Sequence, residues 1–109
     1  MFMGVLLTMT LVLSACLGGA VKPNFQGFAY EIEKDRVLVV YNVTREEFDE
    51  VAEKSLDEIM DLGHSLLDLE YSGEKDFIEG DQISIWIDGE VQDSYPQQAK
   101  ASNLEYYFE

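Results

Sequence analysis

The residues of this chain whose types and spacing could do chemistry lie close together in its last third. They are the side chain of Trp86, the turn pair Asp88-Gly89 and the four-residue loop Asp93-Ser94-Tyr95-Pro96. Carboxylates around a glycine turn could ligate calcium, which needs only oxygen donors. A carboxylate near a tyrosine could instead serve acid–base chemistry in a small hydrolase. The same side chains could also form a non-catalytic surface that contacts a ligand or a partner.

The sequence lacks the companions that catalytic and metal sites need. A serine or cysteine nucleophile requires a base beside it, and His64 is the single histidine of the chain. Zinc requires clustered histidines or cysteines, and the sequence has one of each. The acidic residues around Gly89 do not have the spacing of an EF-hand loop. We therefore expect no catalytic residue, no metal and no cofactor.

The loop Asp93-Ser94-Tyr95-Pro96 admits two interpretations. In the first, the Tyr95 ring and the Ser94 hydroxyl contact a ligand at the rim of a barrel. In the second, which the residue types favour, the loop is a fixed turn. Asp93 or Ser94 then caps backbone amides, Tyr95 plugs the barrel end, and a cis peptide bond precedes Pro96. Trp86 is out of phase with the isoleucines around it, so it is either a surface binding aromatic or the cover of an open barrel face.

The N-terminal segment predicts export and lipidation. Residues 1–15 carry no charged side chain and have the length of a signal-peptide apolar region. They end in Leu13-Ser14-Ala15 before Cys16, which resembles the lipobox of bacterial lipoproteins and implies a diacylglycerol thioether on Cys16. Two acyl chains anchor a protein stably, since each buried methylene contributes about 0.8 kcal/mol. No Lys or Arg precedes the apolar run, so either the α-amino group acts alone or the coding start lies upstream.

We therefore expect three parts: a signal peptide at residues 1–15, a lipidated tether at residues 16–24 and one domain at residues 25–109. Mature protein would lie on the extracytoplasmic face of the cell membrane. Its partners would be the lipid bilayer, through acylated Cys16, and another envelope protein or an extracellular ligand.

The charge of the chain limits its partners. Seven basic side chains face 22 acidic ones, for a formal net charge of −15. Binding nucleic acid requires Lys and Arg to displace counterions, and anionic lipid headgroups repel an acidic surface for the same reason. We therefore expect no nucleic acid partner, and a protein or ligand with a basic or uncharged surface instead. A single cysteine excludes an intramolecular disulfide, so the domain depends on its hydrophobic core.

Hydrophobic periodicity predicts strands interrupted by one helix. A capping box at Thr44 and Glu47 begins an amphipathic helix that ends at Gly63. Asp88-Gly89 is a strong turn signal after the fourth strand. Alternating or β-branched runs predict five strands, at residues 25–33, 36–43, 64–71, 82–87 and 99–108.

The stretch that begins at Trp86, W-I-D-G-E-V-Q-D-S-Y-P-Q-Q-A-K-A, resembles the signature end of the YobA-like family of small, uncharacterised Firmicute lipoproteins. Residues 27–32, 36–40, 44–47 and 80–83 are also similar, so the resemblance covers about residues 25–107. It implies a five-stranded barrel of oligonucleotide/oligosaccharide-binding (OB)-like shape and no activity, because the family is a domain of unknown function.

The expected fold is mainly β with one helix between strands 2 and 3, as a small five-stranded OB-like barrel or a strongly curved sheet. The expected function is a membrane-anchored, non-catalytic binding or interaction module of the cell envelope. Two alternatives remain. One is a small envelope hydrolase or accessory protein that uses Asp88, Asp93 and Tyr95. The other is an acidic calcium-binding surface.

Overall fold

A computed structural model describes residues 22–107, which form a closed β-barrel of five strands with two short helices. The strands are β1 (Phe25–Ile32), β2 (Arg36–Tyr41), β3 (Ser65–Glu70), β4 (Gln82–Gln92) and β5 (Gln97–Tyr106), and the helices are α1 (Arg45–Val51) and α2 (Leu56–Asp61). The order around the barrel is β1-β2-β3-β5-β4, and β4 pairs back with β1. Only β3 and β5 are parallel among the paired strands of this part of the chain. The predicted small barrel, with its helical segment between strands 2 and 3, is confirmed.

Several predictions concern residues outside this range. The signal peptide of residues 1–15, the lipidated Cys16 and the tether as far as residue 21 lie outside the described residues. Phe108, the predicted last residue of the fifth strand, also lies outside them. Within the described range, neither helix is long and apolar enough to cross a membrane.

The interior of the barrel is apolar. Side chains alternate between the two faces of a strand, so every second residue points inward. Nine strand residues and Phe77 from the β3–β4 connection form this cluster: Ala29, Val37, Val39, Leu67, Leu69, Phe77, Ile83, Ile85, Ala101 and Leu104. Fully burying a Val, Leu, Ile or Phe side chain contributes about 1.5–3 kcal/mol, so this cluster dominates the stability of a domain without a disulfide.

The helices pack on the outer face of β1, β2 and β3 rather than across an end of the barrel. The second buried cluster joins outward strand residues to helix residues: Phe28, Val40 and Leu66 with Phe48, Val51 and Ile59. The rings of Phe28 and Phe48 stack with centroids 4.8 Å apart, and the Arg45 guanidinium lies 4.7 Å above the Phe28 ring. In β1, β2 and β3, one residue therefore packs in the barrel interior and its neighbour packs in the cluster beneath the helices.

The prediction of one continuous helix is wrong, because a second capping box interrupts it. Ser55 has extended backbone angles, its Oγ accepts from the Glu58 amide at 3.3 Å, and the Glu58 carboxylate accepts from the Ser55 amide at 3.0 Å. The Tyr30 hydroxyl donates to the Lys54 carbonyl oxygen at 2.6 Å, which satisfies a backbone acceptor at the break. The apolar spacing continues across this break, so periodicity alone concealed it.

The predicted turn at Asp88-Gly89 is also wrong, since β4 continues through it to Gln92. Gly89 has a φ of 91°, and the pairing with β5 jumps from Asp88 opposite Lys100 to Gln92 opposite Gln98. Glycine adopts this left-handed conformation without steric strain, so here it allows an irregularity within a long strand instead of a hairpin. The true β4–β5 turn is the Asp93–Pro96 loop.

Candidate binding groove

The structure separates the residues that the sequence singled out. Trp86 lies on β4, opposite Asn103 of β5, and is partly buried. Its carbonyl oxygen accepts from the Ser102 hydroxyl at 3.3 Å. Because the barrel is closed, Trp86 does not cover an open barrel face, and that interpretation is wrong.

Asp88 lies in a polar groove on the β4–β5 side of the barrel. This groove has a volume of about 250 Å³ and is lined by Arg36, Glu70, Asp88, Glu90, Gln92, Gln98, Ala99 and Lys100. Gly89, Asp93 and Tyr95 do not line it, so the three residues of the suggested hydrolase do not share this groove. Among residues 22–107, no group of three or more His, Cys, Asp or Glu side chains is arranged to hold a metal ion.

The Asp93–Pro96 loop is fixed against the end of α2. The Tyr95 hydroxyl donates to the carbonyl oxygen of His64 at 2.7 Å and approaches that of Met60 at 3.3 Å. The Ser94 hydroxyl donates to the Pro96 carbonyl oxygen at 2.8 Å, and the Tyr95–Pro96 peptide bond is cis. The Tyr95 side chain is 47% exposed and lies outside both buried clusters, so it does not plug the barrel end.

Tyr95 is poorly suited to act as a base. Partial burial, and then the nearby charge of Asp61, raise the pKa of its hydroxyl above the ordinary value. At neutral pH the group is therefore a protonated hydrogen-bond donor to the backbone. Its position explains how the loop is held, and it gives the hydrolase alternative no support.

Pro96 brings this loop to a second groove, which the sequence did not reveal. We call it the β2–β3 groove; it has a volume of about 290 Å³ and is lined by Glu31, Glu33, Arg36, Leu38, Leu56, Asp68 and Pro96. Arg36 and Leu38 alternate with the inward Val37, and Leu38 is directly opposite Asp68 of β3. Leu56, at the start of α2, supplies a further apolar side chain.

The β2–β3 groove carries unbalanced negative charge. Arg36 Nε donates to Asp68 Oδ1 at 3.1 Å, and this hydrogen bond raises the pKa of the guanidinium. Glu31 and Glu33 are exposed, and neither forms an ion pair with another residue in the range 22–107. Three carboxylates against one guanidinium leave two net negative charges on the lining side chains.

Three of the seven residues that line the groove are apolar. Leu38 is 8% exposed, while Leu56 and Pro96 are half-buried. Apolar surface beside unpaired carboxylates fits a group that combines an aliphatic stem with a cationic head. The lining residues of the groove are three carboxylates, one guanidinium and three apolar side chains.

A sequence signal for part of this groove existed. Glu31, Glu33 and Arg36 surround the turn of the predicted β1–β2 hairpin, and outward positions of a hairpin share one surface. The contribution of Pro96 had no comparable signal. It depends on the parallel pairing of β5 with β3, in which Gln97 lies opposite Leu67.

Comparison with known proteins agrees with this architecture. Residues 26–105 match the family described as Protein of unknown function (DUF3221). The solution structure of Bacillus subtilis YobA is similar at a TM-score of 0.60 with 16% identity, covering 86% of this chain and 90% of that one. A crystal structure of a YobA protein from Bacillus subtilis is similar at a TM-score of 0.57 with 17% identity, covering 83% of this chain and 100% of that one. No curated protein matches the chain.

At such identities the likeness to the two solved structures shows the fold alone. The match of the family model to most of the chain shows the family, and the predicted resemblance to YobA-like proteins is confirmed. This chain belongs to the DUF3221 family of proteins of unknown function, and its barrel is similar to that of YobA.

Proposed function

We propose that this protein is a lipid-anchored, non-catalytic binding module of the cell envelope, and that its binding surface is the β2–β3 groove. The observation that carries the proposal is the composition of that groove. Its apolar side chains lie beside two carboxylates, those of Glu31 and Glu33, that have no ion-pair partner within residues 22–107. Such a surface is available to a ligand, whereas paired carboxylates would already be satisfied.

The hydrogen bonds of the described residues give no support to a hydroxyl nucleophile activated by His64. None of them joins a serine, threonine or tyrosine hydroxyl to the imidazole of His64, although its backbone carbonyl oxygen accepts from Tyr95. A nucleophile needs such a base within hydrogen-bond reach. Glu31 and Glu33 of the β2–β3 groove are exposed to solvent, so their carboxylates are accessible to a cationic ligand.

The lipid anchor is proposed from the lipobox that ends at Cys16. The start of the barrel is compatible with a short tether, because Asn24 is fixed to β4. Its amide donates to the Ile85 carbonyl oxygen at 2.8 Å, and its side-chain oxygen accepts from the Ile87 amide at 2.8 Å. Eight extended residues span at most about 29 Å. An acyl group on Cys16 would therefore keep the barrel close to the membrane surface.

Membrane fractionation and intact mass measurement of the native protein test the anchor, with Cys16→Ser as the variant. We expect the wild type in the membrane fraction, with an acylated Cys16 as its N-terminal residue, and the variant outside that fraction. If both proteins stay soluble and keep Met1, the anchoring proposal is wrong. That result would leave the binding role of the groove to be judged by its own experiment.

A further inference from the structure

The size of the β2–β3 groove limits what it can hold. Its volume of about 290 Å³ lies just below the range of about 300–1,000 Å³ in which pockets bury most of a drug-sized ligand. Its acidic side, with Glu31 and Glu33, is exposed to solvent. The groove therefore suits one or two side chains of a larger partner better than an enclosed cofactor.

The negative charge of the groove favours positively charged side chains of a partner. Asp68 is engaged by Arg36, whereas Glu31 and Glu33 are free of ion pairs within residues 22–107. Asp35 and Glu70 also act on the Arg36 guanidinium, so acidic charge surrounds the one base of the lining. A ligand cation would be attracted here, and an anion would be repelled.

The apolar side chains of the groove favour a cation that carries an aliphatic stem. Leu38, Leu56 and Pro96 give the groove a hydrophobic wall next to its carboxylates. Lysine buries its four-carbon stem against apolar surface and keeps its ammonium group among polar partners. A small hydrated cation would gain nothing from that wall.

We propose that the β2–β3 groove binds a lysine-rich, extended peptide segment of a protein partner. This inference rests on the proposed function and names the chemistry of the partner. Two lysine stems pack on the apolar side chains of the groove, and their ammonium groups reach Glu31 and Glu33. The formal net charge of −15 adds long-range attraction, which accelerates the encounter with a basic partner.

The experiment measures binding of a fluorescein-labelled decapeptide of alternating lysine and alanine to the full chain by fluorescence anisotropy. The protein is purified in a nonionic detergent from whichever cell fraction contains it, so the result does not depend on the anchor. The variant Glu31→Gln/Glu33→Gln removes both free carboxylates of the groove. The variant Glu46→Gln/Glu50→Gln removes two exposed carboxylates of α1 and is the control with the same change in net charge.

We expect the groove variant to bind the peptide about fivefold or more weakly, because two exposed ion pairs are lost. The control variant should change the affinity by less than about twofold. A third variant, Arg36→Gln, removes the one base of the lining and should tighten binding. Raising the salt from 0.1 M to 1 M shortens the Debye length from about 10 Å to about 3 Å and should weaken binding to the wild type.

Two results would overturn the inference. If both double variants lose affinity equally, the peptide responds to net charge and the groove has no special role. If the wild type does not bind the peptide at low salt, the groove does not recognise lysine-rich segments. Neither result bears on the membrane anchor, which the fractionation of the Cys16→Ser variant tests separately.

Discussion

Replacing Phe48 with alanine tests whether the helices are an integral part of the fold. Phe48 is 2% exposed and joins α1 to the outer face of the barrel through its stacking on Phe28. Truncating a buried phenylalanine to alanine reduces stability by about 3–5 kcal/mol. A domain of this size has a total stability of about 4–13 kcal/mol. The substitution should therefore remove a large part of the folding free energy.

In thermal terms the loss is easily measured. A loss of 1 kcal/mol lowers Tm by about 4–8 °C in a domain of 60–100 residues, so Phe48→Ala should lower Tm by at least about 12 °C. Phe48→Leu keeps most of the volume and should reduce stability by less than about 1.5 kcal/mol. Leu62→Ala is the surface control, because Leu62 is 59% exposed and its loss should change stability by less than about 0.5 kcal/mol.

The assay follows two signals during thermal unfolding of the full chain in detergent: circular dichroism at 222 nm for the helices and Trp86 fluorescence for the barrel. The helix core and the barrel core use adjacent residues of the same strands, such as Phe28 and Ala29, so both signals should change together. A Phe48→Ala protein with unchanged Tm, or one whose helical signal is lost well before the fluorescence changes, would refute this reasoning.

Three further changes have defined outcomes. Tyr95→Phe removes the hydrogen bond to the His64 carbonyl oxygen and should lower unfolding free energy by about 0.5–1.5 kcal/mol in urea denaturation, with weaker lysine-peptide binding. Gly27→Ala places a Cβ 2.6 Å from Val39 Cγ1, and the resulting overpacking should reduce stability by about 1–3 kcal/mol in the same assay. Burial, and then nearby carboxylates, raise the pKa of Tyr30 above its ordinary value of 10.0. The stability that the protonated Tyr30 hydroxyl contributes is therefore complete below pH 10.0 and declines as pH rises through the folded-state pKa. Urea denaturation from pH 8 to 11 should therefore show a steeper loss of unfolding free energy for the wild type than for Tyr30→Phe.

Local patterns in the sequence were sufficient to predict most of the secondary structure. The β1–β2 hairpin follows from alternating and β-branched residues, and the start of α1 follows from Thr44 and Glu47. The break at Ser55 had the same kind of signal, Ser55 three residues before Glu58, but continuous apolar spacing obscured it. The capping signal was therefore present in the sequence even where the apolar spacing suggested one helix.

The features that were missed depend on long-range pairing. Asp88-Gly89 has the residues of a hairpin turn, yet pairing with β5 on both sides keeps it within β4. The β2–β3 groove needs β5 beside β3 and α2 on the outer face of the sheet before Leu56 and Pro96 can meet Leu38. Neither arrangement is encoded in a short window of sequence.

The closure of the barrel has a kinetic consequence. Phe25 at the start of β1 pairs with Ile85 of β4, and Leu67 of β3 pairs with Gln97 of β5, so the pairings that close the ring join distant parts of the chain. Proteins dominated by non-local strand pairings fold in milliseconds to seconds, whereas an isolated hairpin such as β1–β2 forms in about 1–10 μs. The first half of this chain can therefore form its hairpin early, but it stays without a closed core until β4 and β5 are available. A chain that completes its core so late can pass through a translocation channel before it folds, which suits a protein whose proposed place is outside the membrane.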